Sequence, residues 1–457
     1  MQEIAYFREK PCKMVGKIDK TPQLSIFEVP LVHFINMEHE LIILSKQIGW
    51  NDIEKQFSVY YKDGGRPSVP IRKMVGSLLL KQLYNESDEN FVDRWVENPY
   101  WQYFCGEHVF QKTKPFEPSE FTHFRNRIGK EGAEALLRIS ILLFGKELKL
   151  DEVYIDTTVQ EKNITHPTDS KLYRKIISKN RAIASKEGIL LRQSYVRVEK
   201  ELALKQRFYR HPKRKKEARA STRKLRTIAG RLTREVKREL EKRGINAYQK
   251  LFKVMEAILI QEKTSKNKIY SLHEPHVKCI AKGKESKEYE FGNKSSIALS
   301  RQGIIVGAMA FTENLFDGDT LEPQLDQVER LAGALPKAGI VDRGYRGRKN
   351  VLGVAIITPQ PVSSQAGQYQ KAKMRKRFRG RAGIEPRIGH LKFDHRMWRN
   401  FLGGTLGDEL NTILAATAFN LKRFLNRVKA RLEKLFDFFD CLYVQYLKFN
   451  DRKVVYI

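Results

Sequence analysis

The chain has 457 residues, of which 41% are hydrophobic and 30% are charged. This length and balance predict two or three globular domains and exclude a disordered polymer. Its 85 lysines and arginines outnumber its 53 acidic residues and give a formal charge of +32, for which a long polyanion is the usual partner. No run approaches the roughly 20 uncharged apolar residues of a membrane-spanning helix, which argues against an integral membrane protein.

The N-terminal sequence and the arrangement of the cysteines indicate the cellular compartment in which the protein is expected. The first ten residues lack the basic-then-apolar order of a secretion signal. The four cysteines are scattered, with no C-x-x-C pair and no clustered histidines, which argues against a zinc site and against a disulfide framework. We therefore expect a reduced, cytoplasmic protein.

Residues 1–147 are predicted to be mostly helical, because apolar residues recur at helical spacing and helix caps precede them. The clearest helical stretches are 31–50, 69–83, 87–96 and 117–129. Ser87 is the predicted N-cap of the third stretch, and Arg125 and Arg127 are expected to be exposed on the fourth. Short helices around tight turns suit a helix-turn-helix DNA reader, and a helical dimerisation or packing domain fits the pattern equally well.

At residues 148–158 the pattern changes to that of a β-strand, with apolar and polar side chains alternating. Asp156 stands where the apolar run gives way to two threonines, and a carboxylate at a strand end can reach a cleft while its strand stays buried. Asp151 and Glu152 are expected to be solvated at the start of the strand. Residues 160–169 are predicted to form a loop.

Residues 170–263 form a long, strongly basic segment that is predicted to be helical and to break at 210–216. An apolar stripe with spacings of three and four follows that break. Its members are Leu225, Ile228, Leu232, Val236 and Leu240. The segment is either a charged helical hairpin that packs on the rest of the protein or a clamp on the DNA backbone, and these two functions are compatible.

Strand patterns return after this segment. They occur at 269–272, 277–283, 289–300, 303–311 and 354–359. A capped helix at 319–333 is predicted to end at Gly333. A further strand stops at Asp342 and turns on Gly344 and Gly347.

The stretch F-R-G-R-A-G-I-E-P-R-I-G-H-L-K (378–392) holds one carboxylate, Glu385, among cations. Arg381 precedes it by four residues and Lys392 follows it by seven, so on a helix they share one face. Pro386 disfavours helical geometry at Glu385, and we expect a helix to begin at this proline. A solvated basic helix with one chance acid is the plainer alternative.

The C-terminal part of the chain is predicted to contain two amphipathic helices, at 407–430 and 431–448. Asn411, Asn420 and Arg423 are expected to lie on the protein surface.

Three carboxylates share one chemical rationale. Asp156 and Asp342 are predicted to end strands, and Glu385 precedes or opens a helix in a cationic stretch. Carboxylates that a fold brings together repel one another, and divalent cations relieve that repulsion. Three acids holding two metal ions are a common apparatus for in-line attack at a phosphodiester.

The spacing of these motifs is that of a known enzyme family. The chain has V-D-R-G-Y-R-G (341–347), where the family reads D-x-G-Y-x-G after an apolar strand. It has Phe378, Arg381, Glu385 and Lys392 at the spacing Y-x2-R-x3-E-x6-K, and I-D-T-T-V (155–159) at the first aspartate. The chain thus resembles the DDE transposases of bacterial insertion sequences, closest to the IS5 family within the IS4-like group. It departs from their pattern at Phe378, which replaces a tyrosine, and at Pro386.

The resemblance implies an α/β fold with a ribonuclease H-like catalytic core, a mixed sheet flanked by helices. Residues 1–147 would form a helical DNA-binding domain, and 148–430 the catalytic domain, interrupted by the basic helical insertion at 170–263. Residues 431–457 would form a C-terminal helical tail. The protein would act in the bacterial cytoplasm, in association with the nucleoid.

The resemblance also implies an activity and its residues. Asp156, Asp342 and Glu385 would bind Mg²⁺, for which Mn²⁺ can substitute, and the enzyme would cleave element ends and join 3′-hydroxyls to target DNA. Arg381 and Lys392 would position phosphates or terminal bases. The set of DNA-binding residues is completed by Arg343, Tyr345 and Arg346. Tyr345 is either a base-stacking residue or a buried residue of the turn.

The implied partners are double-stranded DNA, both as terminal inverted repeats and as target, and a second copy of the chain, because two ends must be synapsed. A metal-dependent nuclease on the same fold would carry the same triad. A domesticated DNA-binding protein without catalysis is disfavoured by the intact triad, and an RNA-binding scaffold is supported by charge alone.

Overall fold

The computed structural model describes residues 16, 29–62, 64, 67–262, 264–284, 287–359 and 367–454. Side chains are described outside 282–287 and up to residue 434. Most of the first 28 residues, where the N-terminal domain was predicted to begin, lie outside these ranges. The same holds for Lys263, the predicted end of the insertion, and for the side chains of most of the predicted tail.

The chain folds into helices packed around one mixed sheet. The helices are α1 (Glu40–Gln47), α2 (Trp50–Phe57), α3 (Ile71–Leu83), α4 (Asp88–Glu97), α5 (Pro99–Phe104), α6 (Ser119–Leu142), α7 (Asp169–Lys186), α8 (Val196–Gln206), α9 (Lys215–Lys242), α10 (Gln249–Ile260), α11 (Leu321–Ala332), α12 (Gln368–Ala382), α13 (Ile384–Asp394) and α14 (Gly404–Val454). The strands are β1 (Glu152–Lys162), β2 (Lys278–Lys284), β3 (Lys287–Ser300), β4 (Ile305–Phe311), β5 (Ala338–Ile340), β6 (Asn350–Val351), β7 (Val354–Ile357) and β8 (Arg399–Asn400). The predicted mixed α/β class is confirmed.

Strand β1 lies in the middle of the sheet, whose order is β2-β3-β1-β5-β7-β6, with β4 pairing β3. It runs antiparallel to β3 and parallel to β5. Pairing with β3 continues to Glu161, opposite Gly292. Asp156 therefore lies inside a strand rather than at its end, and the predicted loop begins only after Lys162, because β3 supplies backbone partners to these polar residues.

Helices cover both faces of the sheet. Val153 and Ile155 pack with Leu325 of α11 on one face, and Tyr154 packs with residues of α6, α13 and α14 on the other. The predicted alternation along β1 is thus confirmed. The antiparallel strands predicted at 277–283, 289–300 and 303–311 correspond to β2, β3 and β4, whereas 269–272 is not a strand.

The N-terminal helices share a core with α14. Leu414, Leu421 and Leu425 belong to the same buried cluster as α1 to α6. The Ser87 cap is confirmed, since its hydroxyl accepts the Asn90 N–H.

The exposure predicted for Arg125 is wrong. Its side chain is buried and donates to both carboxylate oxygens of Asp88, at 3.0 and 2.7 Å. A buried arginine needs such a partner, and Asp88 comes from a neighbouring helix that local sequence does not reveal. Arg127 is exposed, as predicted.

Helix α14 is continuous, although two helices were predicted, and it runs through the proposed boundary at residue 431 without a break. Asn411 and Asn420 are buried on it rather than exposed. Their amides donate to Gln160 Oε1 at 2.7 Å and to the Ile305 carbonyl at 2.8 Å. Arg423 is partly buried and donates to the Gln302 carbonyl. These side chains connect the helix to the sheet.

The basic insertion folds as helices α7 to α10, with the predicted break between α8 and α9. All five members of the predicted stripe are buried. They form a separate hydrophobic cluster with residues of α7 and α10. The insertion therefore has a core of its own.

A buried histidine predicts a pH dependence of stability. His395 is 3% exposed, and burial lowers its pKa to about 4 from 6.5. The unfolded chain takes up this proton below pH 6.5 and the folded protein only below about 4, so this contribution to stability is lost as pH falls through that window. At pH 5 the loss is about 2 kcal/mol. In urea unfolding at pH 7 and pH 5, His395→Gln should lose less stability on acidification than wild type.

The matched control is His123→Gln, at an exposed histidine, which should behave as wild type. Equal acid sensitivity of His395→Gln and wild type would contradict the assignment to His395.

Candidate active site

The sheet brings Asp156 and Asp342 together. Tyr154 of β1 is aligned with Ile340 of β5, and the two aspartates follow this pair by two residues on neighbouring parallel strands. The guanidinium of Arg381 lies between them, with Nη2 3.2 Å from Asp156 Oδ2 and 3.5 Å from Asp342 Oδ2. One cationic nitrogen therefore contacts both predicted catalytic aspartates.

The turn after β5 fixes the Asp342 side chain. Its Oδ1 accepts the Gly344 N–H at 2.8 Å. A Cβ atom at Gly344 would stand 2.9 Å from Asp342 Oδ1 and 3.0 Å from Asp317 Oδ2. Glycine is therefore needed here because two carboxylates converge on this position.

Asp317 is an acid of this site that the sequence analysis missed. Its Oδ1 accepts hydrogen bonds from Thr157 Oγ1 and Lys294 Nζ, both at 2.9 Å. The available signal was D-G-D-T (317–320) shortly after an apolar strand, the same arrangement that singled out Asp342.

Tyr345 lies beneath the acids and is fully buried. Its ring is thus not accessible to a DNA base in this structure, which agrees with the alternative of a buried turn residue. Burial, followed by the charges of Asp156, Asp317 and Asp342, raises the tyrosine pKa well above 10. The nearby Thr157 hydroxyl opposes this rise, but within the described chain no partner reaches hydrogen-bonding geometry with the Tyr345 hydroxyl.

Glu385 stands apart from the two aspartates. It is exposed in the first turn of α13, and its carboxylate has no hydrogen bond or ion pair with another side chain of the described ranges. The helix begins at Ile384 rather than at the predicted Pro386, because a proline is tolerated within the first turn, where its missing N–H has no helical partner. Arg381 lies in the last turn of a separate helix, α12, so the residues of 378–392 whose spacing fits one helical face are divided between two helices.

Close packing brings α12 to the site. A Cβ atom at Gly380 would collide with the hydroxyl of Tyr154 on β1, so glycine permits the contact that places Arg381. Arg377, one turn earlier, pairs with Glu152 at 2.6 Å. Glu152 is therefore held in an ion pair rather than freely solvated, whereas Asp151 is exposed as predicted.

The remaining predicted DNA-binding residues lie on the turn after Asp342 and on the helix that carries Glu385. Arg343 and Arg346 are exposed on the turn after Asp342, and in the described part of the chain neither forms an ion pair. Lys392 is partly exposed on α13. Cations at the rim of an acidic cleft suit a phosphate backbone that must approach carboxylates.

The donor chemistry of the cleft suits Mg²⁺, which prefers carboxylate oxygens. Asp156 and Asp342 supply such oxygens, and they lie close enough together for one cationic nitrogen, Arg381 Nη2, to contact both. Among the described residues, however, no three histidine, cysteine, aspartate or glutamate side chains are grouped closely enough to hold a metal ion. The Tyr345 hydroxyl and the buried Arg381 Nε lack hydrogen-bond partners within the same ranges.

Comparison with known proteins identifies a transposase domain in the N-terminal part of the chain. Residues 29–127 match the family described as "Transposase domain (DUF772)", a range that spans α1 to α5 and the first part of α6. The chain is also 44% identical over 191 residues to "Uncharacterized protein ORF8 in nfe locus" of Rhizobium meliloti, which covers 41% of this chain and 92% of that protein. The chain belongs to the same family as this rhizobial protein.

A transposase domain implies DNA binding, which agrees with the formal charge of +32. No solved structure matches the chain. None of the described helices is both long and apolar enough to cross a membrane.

Proposed function

We propose that the chain is a DDE transposase of the IS5 family that cleaves the ends of an insertion sequence and joins the 3′-hydroxyls to target DNA. One observation carries the proposal. Asp156, inside β1, and Asp342, just after the neighbouring strand β5, both contact Arg381, at distances of 3.2 and 3.5 Å, in a chain with a transposase domain. Acids that are drawn together around a cation are what a phosphodiester-cleaving metal site requires.

The fold supports the same proposal. A mixed sheet with helices on both faces agrees with the ribonuclease H-like core that the resemblance implies. Helix α13 packs against β1 and carries Glu385, the third acid of the proposed set. The basic insertion interrupts the chain between β1 and β2, as the resemblance implies for the catalytic domain.

Each residue of the cleft has a proposed role. Asp156 and Asp342, joined by Glu385, would hold Mg²⁺ or Mn²⁺. When bound, these ions would activate water or a 3′-hydroxyl and stabilise the leaving oxygen. Arg381 neutralises the two aspartates in the metal-free protein, and its planar donors suit a DNA phosphate. Asp317 holds Thr157 beside Asp156.

The exposed cations Arg343 and Arg346, with Lys392, would bind the backbone on either side of the scissile phosphate. Tyr345 fills the space under the turn and supports Asp342 without contacting DNA.

The test uses labelled fragments of the DNA that flanks this gene. They are incubated with purified protein and a plasmid target, in Mg²⁺ and in EDTA. We expect Mg²⁺-dependent products in which the fragment is joined to the plasmid. Cleavage without joining would indicate the nuclease, and binding without cleavage a domesticated DNA-binding protein.

A further inference from the structure

The basic insertion encloses a cavity of about 810 Å³ where the N-terminus of α7 meets α8 and α9. Six of its 15 lining residues are cations on an otherwise largely apolar wall, and Asp169 is the single carboxylate among the lining residues. The lining cations are Lys171, Arg174, Lys200, Arg207, Lys215 and Arg219. The first helical turn of α7 also faces the cavity and adds the positive end of an 18-residue helix.

Most of these charges are not neutralised within the described protein. Arg174 pairs with Glu199 at 3.0 Å. Lys200, Arg207, Lys215 and Arg219 form no ion pair with any residue of the described ranges. Like charges gathered around one cavity repel one another, and an anionic ligand relieves that repulsion.

Exposed aromatic rings adjoin the cavity on the loop between α8 and α9. Phe208 is 42% and Tyr209 53% exposed. The guanidinium of Arg214 lies 4.5 Å from the Phe208 ring centre, and that of Arg210 lies 5.5 Å from the Tyr209 ring centre. Exposed rings interleaved with cations are typical of surfaces that bind nucleic acid.

The surrounding segment has the same character. Residues 169–260 contain 28 lysines and arginines against nine acidic residues. A free nucleotide or phosphate would need only the cavity, whereas this excess extends over the whole insertion and suits a long polyanion.

We propose that the cavity is a docking site for the DNA backbone, in which a phosphate enters between α7, α8 and α9 while the duplex crosses its mouth. Phe208 and Tyr209 lie beside that path. This inference rests on the proposed function for the identity of the polyanion, and it assigns DNA binding to a surface separate from the acidic cleft.

The test is the salt dependence of duplex DNA binding in EDTA, measured by fluorescence anisotropy. The variant Lys200→Gln/Arg207→Gln/Arg219→Gln removes three exposed charges from the cavity wall. If the three cations contact the phosphate in the cavity and its neighbours at the mouth, their removal should lower the log–log salt slope by up to about 3 and weaken binding by up to about 10²–10³-fold at 100 mM salt.

The matched control is Arg231→Gln/Arg234→Gln/Arg238→Gln, at exposed positions of α9, the helix that also carries Arg219. The first of these positions lies 12 residues beyond Arg219, or about 18 Å along the helix axis. The control variant makes the same change in net charge as the cavity variant. We expect less than about a fivefold loss. Equal losses in both variants, or an unchanged slope in the cavity variant, would overturn the proposal.

Two further binding measurements distinguish DNA from other anionic ligands. Millimolar inorganic phosphate that displaces DNA from wild type but not from the cavity variant would indicate a small-anion site, and tighter binding of duplex RNA would indicate an RNA surface. Either result would overturn the assignment to DNA. Because EDTA prevents cleavage, this experiment can fail without affecting the catalytic proposal, and strand transfer can fail without affecting this one.

Discussion

Replacing Asp342 with asparagine will lower the rate of DNA strand cleavage by about 10³-fold or more, equivalent to about 4 kcal/mol of activation barrier. Asparagine keeps the oxygen that accepts the Gly344 N–H, so the turn is preserved and the change is confined to charge. DNA binding should be unchanged or slightly tighter, because one negative charge near the phosphates is removed. Cleavage of end fragments and DNA affinity are measured on the same preparation.

The control for this variant is Asp151→Asn. Asp151 precedes β1, is exposed, and pairs with Lys337 at 3.2 Å on the surface. Such a pair contributes little, so this variant should cleave as wild type does. If Asp342→Asn cuts DNA at the normal rate, Asp342 does not belong to the catalytic set.

Raising the salt concentration from 50 to 200 mM will weaken DNA binding by about 10³–10⁵-fold if the protein neutralises about 6–10 phosphates. The physical reason is the release of counterions from the duplex by the cationic insertion and by the rim of the cleft. The prediction is measured as the slope of log affinity against log salt, in EDTA.

A titration with sucrose at matched osmolality separates this effect from changes in water activity and should leave the affinity almost unchanged. A flat response to salt would contradict the view that the excess of cations exists to bind a polyanion.

The parts of the site that lie on regular strands could be predicted from the sequence. Asp156 and Asp342 were singled out because each follows apolar residues, and parallel pairing of β1 with β5 placed them side by side. Asp317 obeys the same rule after β4, but a short loop separates it from its strand. That loop weakened the local pattern.

The helical part of the site was harder to predict. The residues from Phe378 to Lys392 have a spacing that fits one helix, yet the chain uses two, α12 and α13. The two helices meet at Gly383, and α12 packs through Gly380 on Tyr154, a residue distant in sequence. Tyr345 was ambiguous for a similar reason, since only the packed turn shows that its ring is inaccessible.

Buried polar residues elsewhere in the chain show the same limit of prediction from local sequence. Arg125, Asn411 and Asn420 look like surface residues in a helical pattern, and their burial depends on Asp88, Gln160 and the carbonyl of Ile305. Those partners lie between 37 and 251 residues away in sequence. Local periodicity carries no information about such pairs.

The position of the basic insertion has a consequence for the history of the protein. The chain leaves β1 after Lys162 and returns to the sheet through β2, which pairs with β3, the antiparallel neighbour of β1. The insertion between β1 and β2 has its own hydrophobic cluster. A segment attached in this way is a cassette: one genetic event can lengthen, shorten or exchange it without altering the register of the sheet. Related proteins can therefore keep the acids equivalent to Asp156 and Asp342 and differ in the length and charge of the insertion that we propose to bind DNA.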